Sequence, residues 1–164
     1  MAVTVSCRTD AARAWQAYVH GRGEEVLRIL DLRRHELSLS LVDDAEIRTL
    51  NAAYRGRDRA TDVLAFALTE DGAPGVPPVA TASRRPVVLG DVVISMDTAA
   101  AQAKASRRSL HVRLDTLLIH GILHLVGYDH ERSSAEERRM QAKERAVRAA
   151  LKKTVGVPAP THRR

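Results

Sequence analysis

Two histidines four residues apart, His120 and His124, are followed by Gly127 and a further histidine, His130, in the most chemically loaded stretch of the chain. An α-helix turns once in about 3.6 residues, so side chains four apart stand one above the other on one face, where two imidazoles can reach one ion. Gly127 suits the left-handed turn that ends a helix, after which the chain can swing His130 back toward the same point. Neutral imidazoles with one coordination position left open are the ligand set of a catalytic zinc, whereas a structural zinc is closed by four protein ligands and usually contains cysteine. Cys7 is the sole cysteine and lies far away in sequence. A bare His-x3-His pair is commonly no more than part of an amphipathic helix; the added glycine and third histidine turn the spacing into a metal-site signal.

The long zinc-peptidase motif shares this spacing, but there a glutamate follows the first histidine and serves as general base. Here that position is Gly121, so a metallopeptidase-like hydrolase would lack the group that takes the proton from its water. Two further stretches accompany the histidines: Leu50-Asn51-x-x-Tyr54-Arg55-Gly56-x-Asp58-x-x-Thr61-Asp62-Val63-Leu64-x-Phe66 and Leu89-Gly90-Asp91-Val92-x-Ile94-Ser95.

Together with His120-Gly-x-Leu-His124-Leu-x-Gly127-Tyr128-Asp129-His130, in this order over residues 36–151, they resemble the YbeY family, the bacterial metal-dependent endoribonucleases of ribosomal RNA maturation. The resemblance implies a single-strand-specific endoribonuclease acting at the 3′ end of small-subunit ribosomal RNA and in ribosome quality control. It implies one zinc ion, or another divalent transition metal, held by His120, His124 and His130. His120 is also catalytic in that reading, and Arg55 matches the family's functional arginine. A guanidinium can hold two phosphate oxygens and stabilise charge that builds on phosphorus. A water activated by the metal would attack phosphorus or act as base; attack by a neighbouring 2′-hydroxyl stays open. Asp129 is placed to orient a ligand imidazole. Ala60, Ala65 and Ala67 stand where the family has Pro, Ser and Pro, a departure that touches substrate positioning and none of the histidines. A ribosome-associated factor whose metal only holds the fold together is the non-enzymatic alternative.

The chain of 164 residues is 45% hydrophobic and 28% charged, which fits one domain over 1–154 with a basic tail, 155–164, expected to be disordered. The lone cysteine and the lack of a basic-then-apolar leader point to the cytoplasm. Lys and Arg exceed Asp and Glu by six, and the whole excess lies in residues 131–164, with ten basic side chains against four acidic ones. That segment is either a solvated surface or a track for a phosphate backbone. Aromatic residues are 3% of the chain, so a grip on RNA is expected to be electrostatic rather than stacked.

The elements that must position these residues follow from periodicity. Short strands are expected at 2–6 and 61–68, an alternating one at 36–42 with Leu37, Leu39 and Leu41 inward, and one buried on both faces at 87–95. Thr9 or Asp10 starts a helix with Trp15, Tyr18 and Val19, which Gly21 and Gly23 interrupt before a second helix from 24 to 34. Helices follow at 45–54, with Ile47, Leu50 and Tyr54 inward, at 96–106, at 110–126 and from Ser133 or Ser134 to 151, with Met140, Ala146 and Val147 inward. Arg57 and Arg59 flank Arg55 as backbone contacts, His20 and His35 read as surface or capping residues, and 70–86 reads as a long connection. Helices mixed irregularly with about four strands indicate α+β: a small mixed sheet packed with helices, the central one carrying the histidines.

Overall fold

The alternation at Leu37, Leu39 and Leu41 places all three leucines inside, in the strand from which the sheet is built outward. The computed structural model describes residues 2–68, 87–128, 133–154 and 156–161. Within them the order is β1 (Val3–Cys7), α1 (Asp10–Arg13), α2 (Gln16–Ile29), β2 (His35–Val42), α3 (Asp44–Arg55), β3 (Val63–Ala67), β4 (Val87–Ser95), α4 (Met96–Ala105), α5 (Leu110–Leu125) and α6 (Ser134–Lys152). The sheet order is β1-β2-β4-β3; β1, β2 and β4 run parallel and β3 is antiparallel at the edge. This is the small mixed sheet of an α+β fold that the sequence implied.

The two faces of the sheet are covered unequally. Helices α2, α5 and α6 build the main core on one face, where Val26, Leu27, Leu114, Leu118, Ile122 and Val147 meet Leu37, Leu39, Leu41 and Val92. On the other face a smaller cluster of Val42, Ile47, Leu64 and Val93 forms under α3. Burial of apolar side chains at about 25 cal/mol per Å² drives both, and the larger cluster dominates. Local signals start the helices where caps were expected. Thr9 accepts from Ala12 N–H, Asp43 from Glu46 N–H and Ser133 from Glu136 N–H. Ser109 begins α5 without a side-chain cap bond.

Several expectations change. Gly21 and Gly23 do not interrupt α2, because a Cβ on Gly23 would come within 3.2 Å of Leu39 and Val3, so glycine lets the unbroken helix sit close on the sheet. Tyr54 is 69% exposed rather than inward, its ring lying 5.1 Å from that of Phe66 at the sheet's edge. Ala146 is exposed on α6, whose buried residues are Met140, Val147 and Leu151. His35 is buried at the start of β2, not at the surface. Residues 156–161 form no helix or strand, yet Ala159 packs half-buried against the main core. The 70–86 connection lies outside the described residues.

Candidate active site

No residue of helix α5 is fully exposed, and Leu114, Leu117, Leu118, Ile119, Ile122, Leu123 and Leu125 are buried, so it runs through the core instead of over it. It ends as the sequence anticipates. Gly127 takes φ 101°, its N–H donates to His124 C=O at 3.1 Å, and Tyr128 N–H donates to Leu123 C=O at 3.1 Å. These paired bonds are a Schellman ending, which returns the chain just past the second histidine. Asp129 and His130, the next residues, lie outside the described residues.

Gly121 seats the helix. A Cβ there would stand 2.6 Å from Val92 Cγ1 and 3.4 Å from Val63 Cγ2. Carbon atoms prefer about 3.5–4.0 Å, so any side chain at this position would drive α5 off β4. The glycine that removes a peptidase's general base is therefore also the contact that sets the depth of the cleft.

His120 and His124 face that cleft, their ring centroids 4.8 Å apart and the rings inclined by 69°. Glu144 of α6 lies 2.6 Å from His120 Nδ1 through Oε1, with side-chain exposures of 17% and 29% for the glutamate and the histidine. An ionised carboxylate only accepts, so Nδ1 carries the proton and Nε2 becomes the electron-pair donor. This is the arrangement found behind metal-bound histidines, and it makes the pair fit for a divalent transition ion. Among the described residues no three His, Cys, Asp or Glu side chains gather as a complete ligand set.

The cleft, of about 330 Å³, is lined further by Arg55, Arg57, Thr61, Asp62, Val63 and Ala65. Arg55 is the last residue of α3, and Gly56 caps the helix at φ 66°. The arginine-rich turn is pinned from two sides. Buried Asn51 donates through Nδ2 to Arg59 C=O at 2.9 Å, and Arg48 donates to both carboxylate oxygens of Asp58 at 2.8 and 3.2 Å. That pairing holds the Asp58 carboxyl below its ordinary range. Arg55 and Arg57 thus reach the cleft, while Arg59 turns away beside Arg48 and Asp58. Ala65, one of the departures from the family pattern, lines the cleft as well.

Two contributors escape a reading of spacing alone. Glu144 sits on the Met140–Val147–Leu151 stripe of α6, and a carboxylate on a buried stripe was the available signal. Asp62 does more than bond to its neighbour's backbone. Its Oδ1 accepts from Val63 N–H at 2.8 Å, and its Oδ2 accepts from Arg113 at 3.1 Å and Gln102 at 3.3 Å.

The fold is also that of TM1509 from Thermotoga maritima, whose solution structure superposes with a TM-score of 0.62 at 24% identity, over 91% of this chain and 88% of that one. The family model described as Endoribonuclease YbeY matches residues 6–152, and the chain belongs to that family. Relatives bearing the same name include the Aquifex aeolicus protein, 42% identical over 90% of this chain and 87% of its own. The Syntrophus aciditrophicus protein is 38% identical over 90% and 88%, and the Geobacter metallireducens protein 46% over 79% and 82%. Among the described residues no helix is long and apolar enough to cross a membrane.

Proposed function

We propose that this chain is a zinc-dependent endoribonuclease that cuts single-stranded RNA, acting on ribosomal RNA at the small-subunit 3′ end and in ribosome quality control in the cytoplasm. The observation that carries it is one cleft lined by His120, His124, Arg55 and Arg57 in a chain of the Endoribonuclease YbeY family. His120, His124 and His130 would hold the ion, with Glu144 fixing the His120 ring. When bound, such an ion supplies Lewis acidity, lowering the pKa of water and offsetting charge on phosphorus. Arg55 presents a planar fork of donors to the phosphate oxygens, where a guanidinium gains as negative charge builds. Arg57 adds a second positive charge to the same wall. Gly121 stands where the zinc-peptidase motif carries its glutamate base, which sets the site apart from peptide cleavage. Three imidazoles would suit zinc or another divalent transition metal, and elemental analysis of the purified protein distinguishes them.

The test incubates purified protein with single-stranded and duplex RNA, with and without chelator, beside the Arg55→Glu variant, and identifies the product ends. Cleavage of the single strand that vanishes with chelator and falls in the variant supports the reading. Cutting by the variant and by the chelated protein at the rate of the untreated parent contradicts it, and casein cleavage lost in His124→Ala would revive the peptidase.

A further inference from the structure

A second cavity, of about 440 Å³, opens beside α5 before the histidines, lined by Gln102, Ser106, Arg108, Arg113, Thr116 and Arg148 among others. Its position follows from how α5 and α6 pair. Glu144 of α6 meets His120 of α5, while Arg148, four residues further along α6, lines the cavity with Thr116, four residues earlier on α5. The two helices therefore run in opposite directions. At a rise of about 1.5 Å per residue, the step from His120 to Thr116 is about 6 Å along the helix. Asp62 joins the two spaces: it lines the histidine cleft and accepts from Arg113 and Gln102, both residues of the second cavity.

No carboxylate lines this second cavity, and its cations are not equally committed. Arg113 already donates to Asp62 at 3.1 Å and to Gln102 Oε1 at 2.8 Å. Thr116 and Ser106 give their hydroxyl protons to the carbonyls of Val112 and Gln102. Arg108 is exposed at the mouth, its backbone N–H held by Ala103 C=O at 2.9 Å. Arg148 Nε is buried and, among the described residues, has no hydrogen-bond partner, although the Asp115 carboxylate is near enough to feel its charge. With Arg108, Arg113 and Arg148 around it and no carboxylate in its lining, the cavity is matched by an anion that bonds to the guanidinium groups.

We propose that this cavity is a second backbone subsite, in which Arg148 and Arg108 hold a phosphate of the same RNA strand that enters the histidine cleft. The proposal rests on the nuclease reading for its ligand and on the cavity for its place. It makes part of the basic excess of the C-terminal segment a specific contact, with Arg148 turned inward toward α5.

The test measures binding of a labelled single-stranded RNA to chelator-treated protein across a range of salt, with Arg148→Gln, Arg108→Gln, the double variant and Arg148→Lys. Two strand lengths are compared, a dinucleotide that fills only the histidine cleft and one of about ten nucleotides, within the span of single-strand sites. Each glutamine variant is expected to raise the Kd for the longer strand about three- to tenfold and to lower the salt slope by about 1, with Arg148→Lys recovering part of the loss. The dinucleotide should lose little. Unchanged Kd and slope in the folded double variant, equal losses for both lengths, or weakened binding of inorganic phosphate without any effect on RNA would each overturn the subsite. Because no cleavage is needed, RNA held through Arg148 but never cut would refute only the activity, and RNA cut with unaltered binding in the double variant would refute only the subsite.

Discussion

Helix α5 carries two polar clusters that differ in what surrounds them. Asp115 points toward α2, where Tyr18 donates to it at 2.9 Å and Arg22 approaches at 3.3 Å; Arg22 also reaches the carbonyl of Leu151 and the hydroxyl of Thr154. Those groups face one another inside the helical layer, with Asp115 and Arg22 side chains 14% and 17% exposed. His120 and His124, five and nine residues further on, line an open cleft, and Glu144 of α6 holds His120 Nδ1 from behind. A polar cluster closed on itself locks helices together, whereas one that opens on a cavity beside arginines is available to a ligand. The same helix therefore holds a structural and a chemical device, and each should fail in its own way.

Removing a histidine is the largest expected break. His124→Ala should lower RNA cleavage at least about 100-fold, more than loss of a supporting residue costs, with the thermal midpoint almost unmoved because the ring faces the cleft. A rate assay beside a melting curve checks both halves. Asp115→Ala should do the reverse, costing about 2–3 kcal/mol in urea unfolding, since it strands Tyr18 and Arg22 in a largely buried setting, while cleavage per folded molecule stays as it was. Gly121→Ala sits between the two devices. It should cost about 1–3 kcal/mol, because the added methyl must push Val92 or the helix aside. Glu144→Gln keeps the shape but exchanges an anion for an amide at His120, and metal affinity measured by competition should fall about tenfold.

The smallest effect is a pH slope confined to the closed cluster. Burial, with Asp115 beside it and against the opposing bond from Arg22, pushes the Tyr18 phenol up to about 12. The unfolded chain releases that proton near pH 10, so the phenol's contribution is complete below about 10 and is lost as pH rises toward 12. Tyr18→Phe should flatten that part of the stability curve relative to the parent, with no matching change in the cleavage profile.

Much of this was legible in the residues themselves. Leu37, Leu39 and Leu41 gave their strand away by alternation, and β4 by an apolar run interrupted only at Gly90-Asp91. The start of α5 and the glycine turn after His124 were equally readable, since caps and left-handed turns are local. What failed depended on packing at a distance. Gly21 and Gly23 look like a break by propensity, yet tertiary packing overrides it, with Gly23 set against Val3 and Leu39 and Gly21 beside Val157. Tyr54 follows the inward spacing of α3, but the layer under that helix is thin and leaves the last turn outside. At the site, His120 and His124 were readable from type and spacing and Arg55 from the family resemblance, and all three line one cleft. Glu144 was not, because its partner lies 24 residues away and only the pairing of α5 with α6 brings them together.

The most direct test of the account is to strip the purified protein of metal, measure cleavage of a single-stranded RNA, and then restore zinc stepwise while counting ions per chain. Cleavage that is absent from the stripped protein and rises to a plateau at one ion per chain is the predicted result. Cleavage at full rate in protein shown to contain no metal would contradict it.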